Sequence, residues 1–311
     1  MAYPDLPASV KTMLAAHAMR EHHLLWHLVR IKRVWDNLTA ADRQQFTNDG
    51  WKAPRFGNEA GAGVDFLAMH RNMIAHVNQA LATAADPQWP SVIGWNPIPW
   101  TLNDADWPVP NWANAPQEAI DARSAASVAT IKSLVETHLQ KPSYLASISL
   151  DKMGSEIEWS IHGWMHMRWS GPPFSDQRSD DPANDWLYDP FSSHVNKTFW
   201  KLHGWIDARI SDWEAANSAT ANLSSAWTGP PMHHVRSLGT AEGVSAGTGI
   251  ISRLSAGVAR RSLFNFSLAR ARKILGTKTA KPAGHARKAA KSAKKLAKKS
   301  KPVGKTAKRK Q

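Results

Sequence analysis

With 311 residues, 42% of them hydrophobic, the chain is long enough for one large core or two small ones, and with no cysteine it has neither a disulfide framework nor a thiolate metal site. The net charge of +14 joins two unlike parts: residues 243–311 carry 20 of the 39 Lys and Arg and no acid, whereas residues 1–242 hold the other 19 with all 25 acids and are net negative by 6. No apolar run reaches the roughly 18 residues of a membrane span, and no charged-then-apolar leader opens the chain, so no membrane span and a cytoplasmic location are expected.

From Pro7 to Asn37, Val10, Met13, Leu14, His17, Leu24, Leu28 and Ile31 recur at steps of three and four, which predicts helix. Thr39 with Asp42 marks the start of a second helix that fades near Gly50. Residues 52–63 read as loop. A third helix is expected from Phe66 to about Ala82, with Phe66, Leu67, Met73, Ile74, Val77 and Leu81 inward. Residues 86–116, rich in Pro, Trp, Asn and Asp, read as a long packed loop. Pro116 begins the next helix, with Ile120, Val128, Ile131, Leu134 and Val135 on its buried face. Two more helices are expected, Ser155 to Trp169 and Ser193 to Ala216, separated by an Asp- and Pro-rich loop. Sixteen Trp against three Tyr predict a core built on indole rings; the alternative is aromatic walls around a ligand pocket.

The body is therefore expected over residues 1–245, a basic and partly helical linker over 246–276, and a disordered Lys/Ala/Pro tail over 277–311. Dense cationic charge without aromatic residues suits nucleic acid or another polyanion bound through counterion release; an intramolecular tether to the acidic body is the other reading.

Two segments carry candidate metal chemistry. In Glu158-Trp-Ser-Ile-His162-Gly-Trp-Met-His166, the two histidines are four apart and share a helical face. Phe199-Trp200-Lys-Leu-His203 supplies a third imidazole from a second helix. Imidazole ligands suit Cu, Zn, Fe or Ni alike. Nearer the N-terminus, His22, His23 and His27 lie on the first helix, and His23 shares a face with His27. Packed against the third helix they would complete a site with His70; otherwise they are a polar helix face.

The two segments resemble the second copper motif of the tyrosinase, catechol oxidase and haemocyanin family, HNxVHxWxG followed by DPxF-aromatic-x-x-H-x-x-x-D. His162, His166, Phe199, Trp200, His203 and Asp207 match, while Gly163 stands for the Asn and Asn196-Lys197 for the Asp-Pro. The first motif is degenerate: Phe66-Leu67-Ala-Met69-His70-Arg71 is similar to F-L-x-W-H-R, Asn78 replaces a Glu, and the two upstream histidines are missing, since none lies between His27 and His70. The resemblance implies a mainly α, tyrosinase-like helical bundle with long Trp/Pro-rich loops. It implies one copper on His162, His166 and His203 and a second on His70 with other partners. It further implies a Glu158 that holds a water over the metals, and a Phe199 that lines the substrate path. The activity implied is oxidation of a small phenol or catechol to a quinone with O2. A single-copper or non-catalytic relative, and a polyanion-binding protein acting through its tail, are the alternatives.

Overall fold

The computed structural model describes residues 3–231 and 268–276; the expected tail 277–311 and the body boundary at 245 lie outside them. The described residues are mainly α-helical, with no strand among them.

The first helical stretch is three helices rather than one. Helix α1 (Ala8–Leu14) ends at Ala15, and an extended Ala16 turns the chain into α2 (His17–Val29). After Arg30, α3 (Lys32–Asp36) follows. Every residue of α2 from Met19 to Val29 is buried, although Arg20, Glu21, His22, His23 and His27 are among them. A helix enclosed on all sides is expected to be apolar all round. The polar residues of α2 therefore need partners inside the protein.

Helix α4 (Ala40–Asn48) has a capping box, with the Thr39 hydroxyl accepting from the Asp42 N–H and the Asp42 carboxylate accepting from the Thr39 N–H. Helix α5 (Ala62–Ala84) begins four residues before the expected Phe66. The cause is a cap supplied from elsewhere: the Asp151 carboxylate accepts from the N–H groups of Gly61 and Gly63 at 2.9 Å and of Val64 at 3.3 Å. A carboxylate on the orphan amides of a helix start is also favoured by the helix dipole.

Helices α6 (Gln117–Arg123) and α7 (Ala125–Leu134) are separated by Ser124, whose hydroxyl caps α7. That restart shifts the helical face and leaves Ile120, expected to be buried, half exposed. A π-helical turn (Val135–Leu139) and the short α8 (Pro142–Leu145) lead to α9 (Leu150–Ile157), capped by Ser149. Helix α9 runs through a second π-helical turn (Glu158–His162) into α10 (Gly163–Trp169). The helix expected from Ser155 thus starts five residues earlier. Helix α11 (Lys197–Asn217) is capped by Asn196. Helix α12 (Leu268–Ile274), the end of the segment expected as a linker, packs on α7 and the second π turn, with Ala271 wholly buried.

Helix α5 is the centre of the bundle, against α9 on one side and α11 on another. The α5–α9 crossing is set by two glycines. A Cβ on Gly63 would lie 2.0 Å from the Asp151 carbonyl oxygen, and one on Gly154 2.2 Å from that of Gly63. Both obstacles are backbone, so neither side yields alone. Gly63→Ala is expected to cost about 1–3 kcal/mol in urea denaturation; a change within ~0.5 kcal/mol would show that the crossing has slack. The 86–116 loop is fastened by a similar contact, with Gly94 against Gly204 of α11 and a prospective Cβ on Gly94 only 2.1 Å from the Trp205 nitrogen. Trp26, Trp51, Trp89, Trp95, Trp107, Trp164, Trp169, Trp200 and Trp205 are all buried, which gives the indole-built core expected from composition.

Candidate metal centre

Six histidines from five helical segments meet in the interior. Helix α2 contributes His23 and His27, α5 His70, the second π turn His162, α10 His166 and α11 His203. All six are buried. The ligand atoms of His70, His162 and His203 lie within 4.8 Å of one another, and so do those of His23, His27 and His70. His70 belongs to both groups. His166 flanks the first, its ring centroid 4.7 Å from that of His162 and 5.6 Å from that of His203.

Backbone carbonyls orient these rings. The Nδ1–H of His70 donates to Phe66 at 2.9 Å, that of His203 to Phe199 at 2.8 Å, that of His166 to Leu187 at 2.8 Å and that of His23 to Pro190 at 2.7 Å. The His162 ring is held by the main-chain carbonyl of Glu158. Because a carbonyl only accepts, each such Nδ1 carries the proton and Nε2 keeps its lone pair. The Nε2 atoms of His70 and His203 are buried with no hydrogen-bond partner among the described residues. The Nε2 atoms of His23 and His27 face each other at 3.2 Å. Neutral imidazoles with inward lone pairs are the form that binds a metal ion.

Burial favours that neutral form. It pushes His70 and His166 down to about 3, against the hydrogen bonds to Phe66 and Leu187. It also pushes His23, His27, His162 and His203 well below the ordinary histidine value, helped by the neighbouring imidazoles.

Phe199 is wholly buried, stacked on His203 with centroids 3.7 Å apart and edge-on to His23 at 5.3 Å, so it lies between the two groups. Phe66 packs beside His70 and His162, at 4.6 and 4.9 Å. The Glu158 carboxylate is engaged by Arg30, whose Nη1 and Nη2 donate to Oε1 at 2.6 Å and Oε2 at 3.1 Å. Burial raises its pKa, with Arg30 opposing.

His22 does not join the cluster: its Nε2 lies 3.0 Å from the Pro230 carbonyl and its ring stands edge-on to Trp51. His17 is exposed, and the hydrogen bond it donates to Glu21 lifts it to about 9 despite partial burial. His76 and His138 are half-buried. His233 and His234 lie outside the described residues.

Sequence reasoning passed over two residues. His194, in a 3-10 turn (Ser193–Val195), is wholly buried; its Nε2–H donates to Leu14 at 2.9 Å and its Nδ1 lies 3.2 Å from that of His23. No periodic pattern marks it. Arg30 was more accessible, since it follows His23 by seven positions and His27 by three, on one helical face.

The fold and site together define a mainly α protein with buried histidine groups able to hold a metal ion. Compared with protein-family models and with curated proteins, the chain matches none.

Proposed function

We propose that the protein is a copper-dependent oxidoreductase of the tyrosinase type. In this reading His162, His166 and His203 hold one copper, and His23, His27 and His70 the other. The observation that carries it is the arrival of His23 and His27 beside His70, which supplies two imidazoles to the motif that the sequence left short. The donor set fits: all ligands are imidazole nitrogens, and the buried Nε2 atoms of His70 and His203 are left without protein partners. When bound, a copper pair supplies the redox chemistry by which O2 oxidises a small phenol or catechol to a quinone. The protein's own share is orientation and exclusion of water. The carbonyls on Nδ1 fix the imidazoles, and Phe66 and Phe199 wall the space between them. Glu158, held by Arg30, orders the segment that carries His162.

The overlap of the two groups at His70 favours one other reading, a single ion in a non-catalytic relative. Copper per chain after reconstitution separates the two. About two equivalents with O2 uptake on catechol are expected, falling to about one with loss of uptake in His23→Ala/His27→Ala. About one equivalent in the unaltered protein, with no uptake, establishes the single-ion reading. No retained copper ends both.

A further inference from the structure

The face of α10 turned away from the histidines carries a second buried group. Arg168 follows His166 by two positions, about 200° around the helix. Its side chain is wholly buried. Nη2 donates to the Trp100 carbonyl at 2.8 Å, while Nε and Nη1 have no hydrogen-bond partner among the described residues. The Trp164 and Trp169 rings each lie 5.2 Å from the guanidinium. Trp100 packs on Trp164 at 5.9 Å and Trp95 on Trp169 at 4.7 Å. The indole nitrogens of Trp95 and Trp164 are likewise buried and unbonded. The Arg168 guanidinium is thus a buried donor group only partly matched by acceptors among the described residues.

Its electrostatics are one-sided. The neighbouring charge is a second cation, Arg123. The Arg123 guanidinium donates to the main-chain carbonyls of Arg168 and Ser170. A guanidinium is always protonated in proteins, so Arg168 is a cation in a region of low dielectric beside a second cation. An uncompensated buried charge is strongly unfavourable, and cation–π contact with two indoles offsets only part of that. Every Asp and Glu except Glu242 lies among the described residues, and none of those forms an ion pair with Arg168.

We propose that this buried guanidinium binds a small monovalent inorganic anion of the halide class, with Arg168 as the charge partner and its Nε–H and Nη1–H as the donors. One guanidinium matches one negative charge, and full enclosure beneath the 86–116 loop suits an ion the size of chloride or bromide better than phosphate. The site is separate from the histidine groups and stands whether or not they hold copper.

The test compares the full chain, as isolated, in sodium chloride or bromide against sodium gluconate at equal ionic strength. Halide is expected to raise Tm saturably, by about 5 °C at a hundredfold excess over Kd, and gluconate is not. Arg168→Met is expected to flatten the halide response, whereas halide bound at a metal would persist in that variant. Glu242→Gln is expected to respond as the unaltered protein does. Equal Tm in halide and gluconate overturns the proposal, as does a halide response retained in Arg168→Met. It is overturned too if the halide response appears only once Glu242→Gln has removed that carboxylate, since Glu242 is then the partner. Should Arg168→Met fail to fold, bromide-soaked crystals of the unaltered chain decide: an anomalous peak beside the Arg168 guanidinium is expected, and its absence overturns the assignment.

Discussion

Acidifying the metal-free protein from pH 7 to pH 5 is expected to remove a large part of its stability, and copper is expected to restore it. His70, His166 and His194 are pushed down to about 3 by burial, and His23, His27, His162 and His203 lie well below the ordinary value. The sign follows from linkage. Above pH 6.5 both folded and unfolded chains hold these imidazoles neutral, and stability is complete. Below it the unfolded chain takes up protons that the folded chain refuses, so each such histidine costs about 1.4 kcal/mol per pH unit until the folded value is reached. The three with values near 3 together cost on the order of 6 kcal/mol by pH 5, comparable with the whole stability of many domains. A bound ion opposes this because it engages only the native arrangement of neutral rings. Urea midpoints of chelator-treated and copper-loaded protein between pH 7 and 4 check both halves. A metal-free midpoint that does not move between pH 7 and 5 would mean that these imidazoles are accessible to protons in the native protein.

Replacing Arg30 with Met is expected to cost about 3–5 kcal/mol at pH 7, the range for breaking one side of a buried ion pair. Arg30 caps the end of α2 and lies over Trp26 at 4.0 Å. It donates to the Ala62 carbonyl at the start of α5 and to both oxygens of Glu158. Three elements therefore meet on one guanidinium. Its removal leaves a carboxylate whose pKa burial already raises, with Arg270 as the remaining nearby cation. The loss should shrink as pH falls, because Glu158 then takes a proton and becomes neutral. Arg30→Met/Glu158→Leu should recover much of the stability, since no orphaned charge remains. Denaturation of the two single variants and the double variant gives the coupling energy. A coupling near zero would reduce the pair to an incidental contact.

The grouping of His162, His166 and His203 was legible because its parts are local. His162 and His166 share a face by spacing, and His203 sits in a segment whose aromatic pair and Asp207 fit a known pattern. The facing of His23 and His27 was legible too, but the docking of α2 against α5 was not. It depends on Arg20, Arg30 and the carbonyls of Pro190 and Asn184, which are distant in sequence. His194 was invisible for a related reason: a 3-10 turn has no periodicity to betray which residue points inward. Helix starts failed where the cap came from another element, as when Asp151 caps α5. Ile120 was misplaced because Ser124 restarts the helix and resets its phase. The Arg30–Glu158 pair spans 128 positions, a separation that no pattern of steps along one helix can reveal.

The 86–116 loop has a consequence for how the molecule could be divided. His23, His27 and His70 precede it, and His162, His166 and His203 follow it, yet His70 and His203 stack across that divide with centroids 4.3 Å apart. A cut at the exposed Leu102–Asn103 bond would put one set of imidazoles on each fragment, with Phe66 of one piece packed on His162 of the other and Phe199 on His23. The protein is thereby suited to fragment complementation, with recovery of the shared interior reporting that the two pieces have found each other.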